Sequence, residues 1–498
     1  MLTRGRLAII ERWIDPASTE PAAPRLRHRI LRASGWAGSG FILDKAIAAV
    51  QLMVLTRLLS PADFGVMAAS ATIMLALLTI SELGLEPALI AKAKVDRDDL
   101  AVAWTIAIGR AVILMAGLWL AADVLAQAMQ MPQLAAVLRV HVWMLFIQGL
   151  QSPAMVLLVK QLDLRRRVSV DLVRRLTEAG VTIALALAVG NVWALLAGQL
   201  AGMSVSVLLS FWVAPFRPAL SLNLQRLAAL LRFGAYVNVT SLLVFAVMSG
   251  GEFVVGRMLG PEALGVYTLA LALPVMAGMR APILISQISR PVYAQLQRDQ
   301  AGTIRTFGLH FGLLVMVLFP LACGIAVSAP EIVQLLGGER WTAAAEPLRA
   351  LALFAFCSGI TEAMGSLQYG LGLPELPLRV WIGQVAVYAV VIVPFTQYFG
   401  LTGAAWAMSV TYLCGSGLYL VYTSRLLGAA AWLVFSPLLR ALIPGVAGLA
   451  LYELMRHLSG GSALTPWMLA GWLLAAGSLY LLYVWRVEYP RLLQLWQA

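Results

Sequence analysis

Five basic residues, Lys45, Arg110, Arg174, Arg175 and Arg280, lie inside stretches otherwise so apolar that they read as membrane-spanning helices. A cation near the bilayer centre costs at least ~2.5–3.5 kcal/mol on insertion scales, so each requires a counter-charge or a wet cavity. Several in one chain point to an anionic cargo, because a guanidinium or ammonium replaces the hydration an anion loses on crossing. From the helical rise, Lys45 lies about 14 Å into its span and Arg110 about 15 Å into its own, near the middle of a ~30 Å core. Arg280 is about 15 Å from the cytoplasmic end of its helix, and Arg174 and Arg175 about 10 Å from that face. Deep positive charge on the inner half suits a substrate presented from the cytoplasm.

Acidic residues accompany these cations. Asp44, Glu178 and Glu362 are deep, Glu252 is near a span end, and Glu82 and Glu86 share one face of the second span. Two readings stay open for them. A carboxylate can balance a nearby cation, as Glu178 can for Arg174 and Asp171 for Arg175 at helical spacing. Alternatively one of them takes up H+ or Na+ to couple transport. The mid-helix amides Asn238, Gln148, Gln151, Gln199, Gln287 and Gln384 suit a sugar-accepting cavity. Trp36, Trp104, Trp193 and Trp406 read as interfacial anchors or packing, with stacking on sugars the other reading.

His28, His141, His310 and His457 are isolated and match no zinc spacing, and there is no phosphate-cradling Walker loop. Neither a metal, a cofactor nor ATP hydrolysis is therefore expected. Cys323, Cys357 and Cys414 all fall in apolar spans and read as small buried residues.

Composition supplies the surroundings. Hydrophobic residues make up 61% of the 498 and charged ones 12%, with a mean hydropathy of +0.84. A soluble domain is about 45–50% apolar and about 25% charged. Most of this surface must meet lipid. Apolar runs long enough to span predict an all-α polytopic membrane protein of 14 helices, at about 36–58, 64–90, 100–122, 134–158, 168–189, 191–215, 232–256, 264–289, 306–328, 348–372, 378–398, 400–424, 432–456 and 464–485. β-Barrel segments would be about half as long.

The net charge of +12 is a topology signal, not a nucleic-acid one. Basic residues crowd before the first span (Arg25, Arg27, Arg29, Arg32) and after the even ones (Lys92, Lys94, Arg97; Arg165, Arg166, Arg167; Arg290, Arg298). By the positive-inside rule both termini are cytoplasmic. No cleavable signal peptide is expected, since residues 1–35 form an Arg-rich polar tail.

An internal repeat divides the chain. Residues 57–66 read RLLSPADFGV and residues 257–266 read RMLGPEALGV; a weaker echo pairs Gly190–Ala194 with Gly400–Ala404. The expected plan is two six-helix lobes related by a parallel repeat, 36–216 and 232–425, joined by an amphipathic cytoplasmic linker at 217–231. Residues 426–498 add two C-terminal helices. Such repeats place substrate between the halves near the midplane.

The segment from Val54 to Val66, with Ser81-Glu-Leu-Gly-Leu-Glu-Pro87 after it, resembles the opening of bacterial lipopolysaccharide and exopolysaccharide flippases, the Wzx group of the multidrug/oligosaccharidyl-lipid/polysaccharide exporter superfamily. The resemblance implies export of an undecaprenyl-diphosphate-linked oligosaccharide across the bacterial inner membrane by alternating access, with no catalytic residue. Membrane lipids, a polysaccharide polymerase and a chain-length regulator are the implied partners. The alternatives are a drug/cation antiporter of the same superfamily, which would want a more acidic pocket, and a membrane glycosyltransferase or polymerase, which would want large extramembrane parts that this chain lacks.

Overall fold

The computed structural model describes residues 23–82, 85, 89, 90, 92, 95–161, 163–221, 224–428, 432–458, 466–484 and 486, and every regular element among them is helical. Among the described residues, eight helices are long and apolar enough to cross a membrane, so the chain is a multi-pass membrane protein. The tail at 1–22 and the side chains of 222–240, which include much of the expected linker and Asn238, lie outside the described residues. The chain forms two compact units, divided between Phe245 and Ala246.

The first unit holds α1 (Ala23–Leu58), α2 (Pro61–Ile80), α3 (Arg97–Met129), α4 (Pro132–His141), α5 (Trp143–Gly149), α6 (Met155–Lys160), α7 (Leu164–Val189), α8 (Val192–Val213) and the start of α9 (Leu224–Val275). The repeated Ser-Pro motif makes the α1–α2 turn. Ser60 Oγ accepts from Asp63 N (3.2 Å) while Asp63 Oδ2 accepts from Ser60 N (3.2 Å), and Pro61 occupies the first turn, where its missing N–H costs nothing. The other oxygen of Asp63 accepts from Val192 N (3.0 Å), tying this turn to the start of α8.

Helix α7 packs against both α1 and α8. Two glycines one turn apart on α8 permit the close approach. A Cβ on Gly202 would lie 2.9 Å from the carbonyl oxygen of Arg174 and 2.9 Å from Cβ of Glu178, and one on Gly198 would lie 2.8 Å from the carbonyl oxygen of Glu178. This is the small-xxx-small packing by which helices associate in lipid.

The span expected over 134–158 is not one helix. It breaks into α4, α5 and α6, with Gln151–Ala154 outside regular helix. Pro153 donates no N–H, and Gly149 sits so close to α3 that a Cβ would be 2.7 Å from Cβ of Ala111. Ser152 closes the gap to α8: its N–H donates to Ser210 Oγ (3.0 Å) and its hydroxyl to the carbonyl of Ala214 (2.7 Å). Below the break, Leu100, Val102, Val156, Leu157, Val170 and Phe216 form a buried core.

The second unit continues α9 through a turn of π-helix (Met276–Arg280) into α10 (Ala281–Gln295), α11 (Gln300–Val327), α12 (Ala329–Gly337), a 3-10 segment (Glu339–Ala344), α13 (Ala345–Gly370), α14 (Glu375–Leu427), α15 (Trp432–Leu458) and α16 (Pro466–Tyr483). Helix α13 is its packing centre, touching α10, α11 and α14. Helices α9 and α14 each turn at a left-handed glycine, Gly260 (φ 85°) and Gly400 (φ 58°). Gly190, the counterpart of Gly400 in the sequence echo, has φ 64°. Both echoes are thus helix-to-helix turns. The span expected over 264–289 is irregular past Pro274, where the π-turn brings Gly278 against the backbone of Ala355. Helix α12 is held to α15 by Tyr452, whose hydroxyl donates to Glu331 Oε1 (2.8 Å).

Candidate functional site

A cavity of about 560 Å³ opens within the first unit. One face each of α2, α3 and α7 and the broken stretch α5–α6 line it. Helix α7 contributes Arg167, Asp171 and Arg174, which at spacings of four and three residues stand on one side of the helix. Helix α3 contributes Trp104, Ala107, Arg110 and Ala111, and α2 contributes Thr79 and, just past its end, Glu82. Gln148, Gly149, Gln151 and Ser152 come from the break, and Ser206 from α8. In a bilayer, non-helical backbone is tolerated where it is buried in protein or lines such a cavity.

Among the described residues, the charges in the wall are three arginines and two carboxylates. Arg110 is steadied by its own Nη1, which donates to the carbonyl of Ser81 (3.2 Å), and Glu82 lies within its electrostatic reach. Arg174 donates to Glu178 Oε2 (3.0 Å) and so reaches the cavity while anchored behind it. Behind Arg174 the charges alternate. Glu178 Oε1 accepts from Arg175 (2.8 Å), Arg175 Nε lies 3.7 Å from Asp44 Oδ1, and Asp44 Oδ2 accepts from Lys45 (2.8 Å). The side chain of Glu178 is 10% exposed, so the α7–α8 packing holds this shared carboxylate in place.

The sequence-derived residues therefore separate. Arg110, Arg174 and Glu82 line the cavity. Lys45, Asp44, Arg175 and Glu178 form the ladder behind it, with Lys45 also over the ring of Phe41 (5.5 Å). Arg175 turns to Glu178 and Asp44, whereas Asp171, expected as its partner, faces the cavity. Glu362 belongs to the second unit, where Arg290 donates to it (2.7 Å) while stacking over Tyr369 (5.3 Å). The side chain of Arg280, the side chain of Gln287, and Glu86 lie outside the described residues.

Sequence reasoning missed three basic residues. By sequence Arg167 falls with the cytoplasmic basic residues after the fourth apolar run, yet it is the first charged member of the cavity face of α7. Its spacing of seven from Arg174 carried that information. Arg290 follows the apolar run expected over 264–289, but α10 continues to Gln295. Arg440 stands inside α15, where its Nε donates to the carbonyl of Ser436 (3.1 Å) one turn earlier. Of the other amides, Gln199 reaches His141, and Gln384 is buried against Gly415.

The fold is shared with solved transporters. The structure titled lipid II flippase MurJ, inward closed conformation, superposes with a TM-score of 0.70 over 92% of this chain and 99% of that one, at 12% identity. An inward-facing multidrug resistance MATE family transporter of the MOP superfamily gives 0.63 over 78% and 95%, at 15% identity. Among curated proteins, the chain is 23% identical to the lipopolysaccharide biosynthesis protein WzxC of Escherichia coli K12, covering 81% of this chain and 83% of that protein. It is 24% identical to the succinoglycan biosynthesis transport protein ExoT of Rhizobium meliloti 1021, covering 86% of each. To the teichuronic acid biosynthesis protein TuaB of Bacillus subtilis 168 it is 22% identical, over 94% and 97%. The family model described as polysaccharide biosynthesis protein matches residues 54–346, more than half of the sequence. The chain belongs to the polysaccharide biosynthesis protein family.

Proposed function

We propose that this protein is a flippase that carries a lipid-diphosphate-linked oligosaccharide from the cytoplasmic to the outer leaflet of a bacterial inner membrane by alternating access. In this reading the chain crosses the bilayer 14 times, as two six-helix repeats plus a C-terminal pair, with both termini cytoplasmic. The product feeds a polysaccharide polymerase and a chain-length regulator. The observation that carries the proposal is the gathering of Arg110, Arg167 and Arg174 on one polar cavity inside a membrane-embedded unit. Forked guanidinium groups match phosphate oxygens, and the amides and hydroxyls of the same wall match neutral sugar. The names of the relatives, which include lipopolysaccharide and succinoglycan biosynthesis proteins, support the same cargo. A drug/cation antiporter would reverse the balance, with carboxylates outnumbering arginines in the wall.

The test is export in cells lacking the gene and complemented with variants. Arg110→Gln and Arg174→Gln should each lower surface polysaccharide about tenfold or more at equal protein level, as expected for loss of a charge-assisted contact of about 1.5–3 kcal/mol. Lipid-linked repeat units should accumulate on the cytoplasmic leaflet of the deletion strain. Full export by both variants would end the proposal.

A further inference from the structure

The cavity wall contains two groups that the diphosphate does not need. Gln148 lies on α5 and Gln151 in the irregular stretch after it, both line the cavity, and both are half-buried. Neither side-chain amide has a hydrogen-bond partner among the described residues. An amide at membrane depth without a partner is costly, so a pair of them facing the same space is a pair of waiting donors and acceptors. Their neutrality matters. An anion is served by the three arginines, whereas an uncharged amide can both give to and accept from a hydroxyl.

The break itself presents these groups. Residues 148–153 do not continue as regular helix: the N–H of Gln151 still donates to the carbonyl of Gln148 (3.1 Å), and positions three apart keep to one side with about 60° of net rotation between them, but the chain does not resume as helix until Met155. Instead Ser152 is stapled to α8 through Ser210 and Ala214, and Gly149 draws the chain against α3. Next to them, Trp104 of α3 is fixed by its Nε1, which donates to the carbonyl of Leu150 (3.4 Å), and by edge-on packing with Phe216 (5.8 Å between centroids). Its half-buried indole borders the same space as the amides.

We infer that Gln148 and Gln151, presented by the broken helix with Trp104 beside them, form a subsite that reads the hydroxyls of the sugar joined to the diphosphate. They are thus specificity-determining residues for the cargo, distinct from the arginines that hold its charge. This inference rests on the flippase reading above and narrows it. The sugar nearest the lipid is selected in the first unit, next to the diphosphate.

The experiment uses the full-length protein in nanodiscs and two kinds of probe, farnesyl diphosphate and farnesyl diphosphate carrying one sugar (glucose, galactose or N-acetylglucosamine). The measured quantity is the ratio of the two affinities, which reports what the sugar adds. In the unaltered protein at least one sugar should raise affinity about tenfold. Gln148→Met and Gln151→Met, matched in length, should each cut that ratio about three- to tenfold, the worth of a hydrogen bond or two. Gln148→Asn, which keeps an amide, should lose less. Arg174→Gln should weaken both probes while leaving the ratio in place. If no sugar adds affinity, or if both Met variants keep the full ratio, the subsite is refuted although the flippase reading stands. If Arg174→Gln and Arg110→Gln leave both probes bound as before, it is the flippase reading that falls.

Discussion

At the scale of single residues, one carboxylate does most to organise the charged side of the first unit. Glu178 gives one oxygen to Arg174 and the other to Arg175, and it is the most buried member of the ladder. Removing one partner from a buried ion pair leaves the others short of counter-charge, and this costs more than the pair gained by forming. The arginines here are 31% and 19% exposed, so water relieves part of that cost. Glu178→Gln should lower stability by about 1–3 kcal/mol, seen as a lower midpoint in thermal unfolding of the purified protein. Pairing it with Arg174→Gln should restore part of the loss, because the stranded cation is gone. A double variant whose loss is the plain sum of the two would show that the contact carries no coupling.

Elements set where those residues point. Helix α7 can place Arg167, Asp171 and Arg174 on the cavity only because α8 comes close enough to fix its rotation, and Gly198 and Gly202 make that approach possible. Gly202→Ala would put a methyl against the backbone of Arg174 and force the helices apart. A destabilisation of about 1–3 kcal/mol is expected, together with reduced export, even though every charge is still present. Gly180→Ala is the control, since nothing lies within 4 Å of a Cβ there. Equal stability and export for the two variants would mean that the glycine contact does not hold α7 in register. The same logic explains why the fourth apolar run looks like a straight span by sequence. Its hydropathy is continuous, and the break at Gln151–Ala154 depends on Pro153 and on two hydrogen bonds to α8 that no local pattern announces.

For the whole molecule, the arrangement of basic residues along the chain makes a topology that can be checked directly. With Cys323, Cys357 and Cys414 replaced, single cysteines at Arg57 or Arg257 should react with a membrane-impermeant maleimide added outside. Cysteines at Arg97 or Arg165 should react only after the membrane is opened. The reverse pattern would invert the orientation and with it the direction of export argued from the inner-half cations. Both positions of the repeat are helix-to-helix turns, one closed by a capping box at Ser60 and one by a left-handed Gly260, so the same sequence motif is met by two different local chemistries.

Position along each apolar run was legible from the amino-acid sequence, because a helix rises by a fixed increment per residue. Class, repeat, family resemblance and the presence of basic groups within apolar runs all followed from that one-dimensional information. Rotation was not. Whether Arg110 meets a cavity, whether Arg175 turns to Asp44 or Asp171, and whether Arg167 belongs to a loop or to a wall depend on which neighbour each helix face meets. That is decided by close contacts between residues far apart in the chain, such as Gly202 with Glu178 and Ser152 with Ser210, and only the tertiary structure contains them.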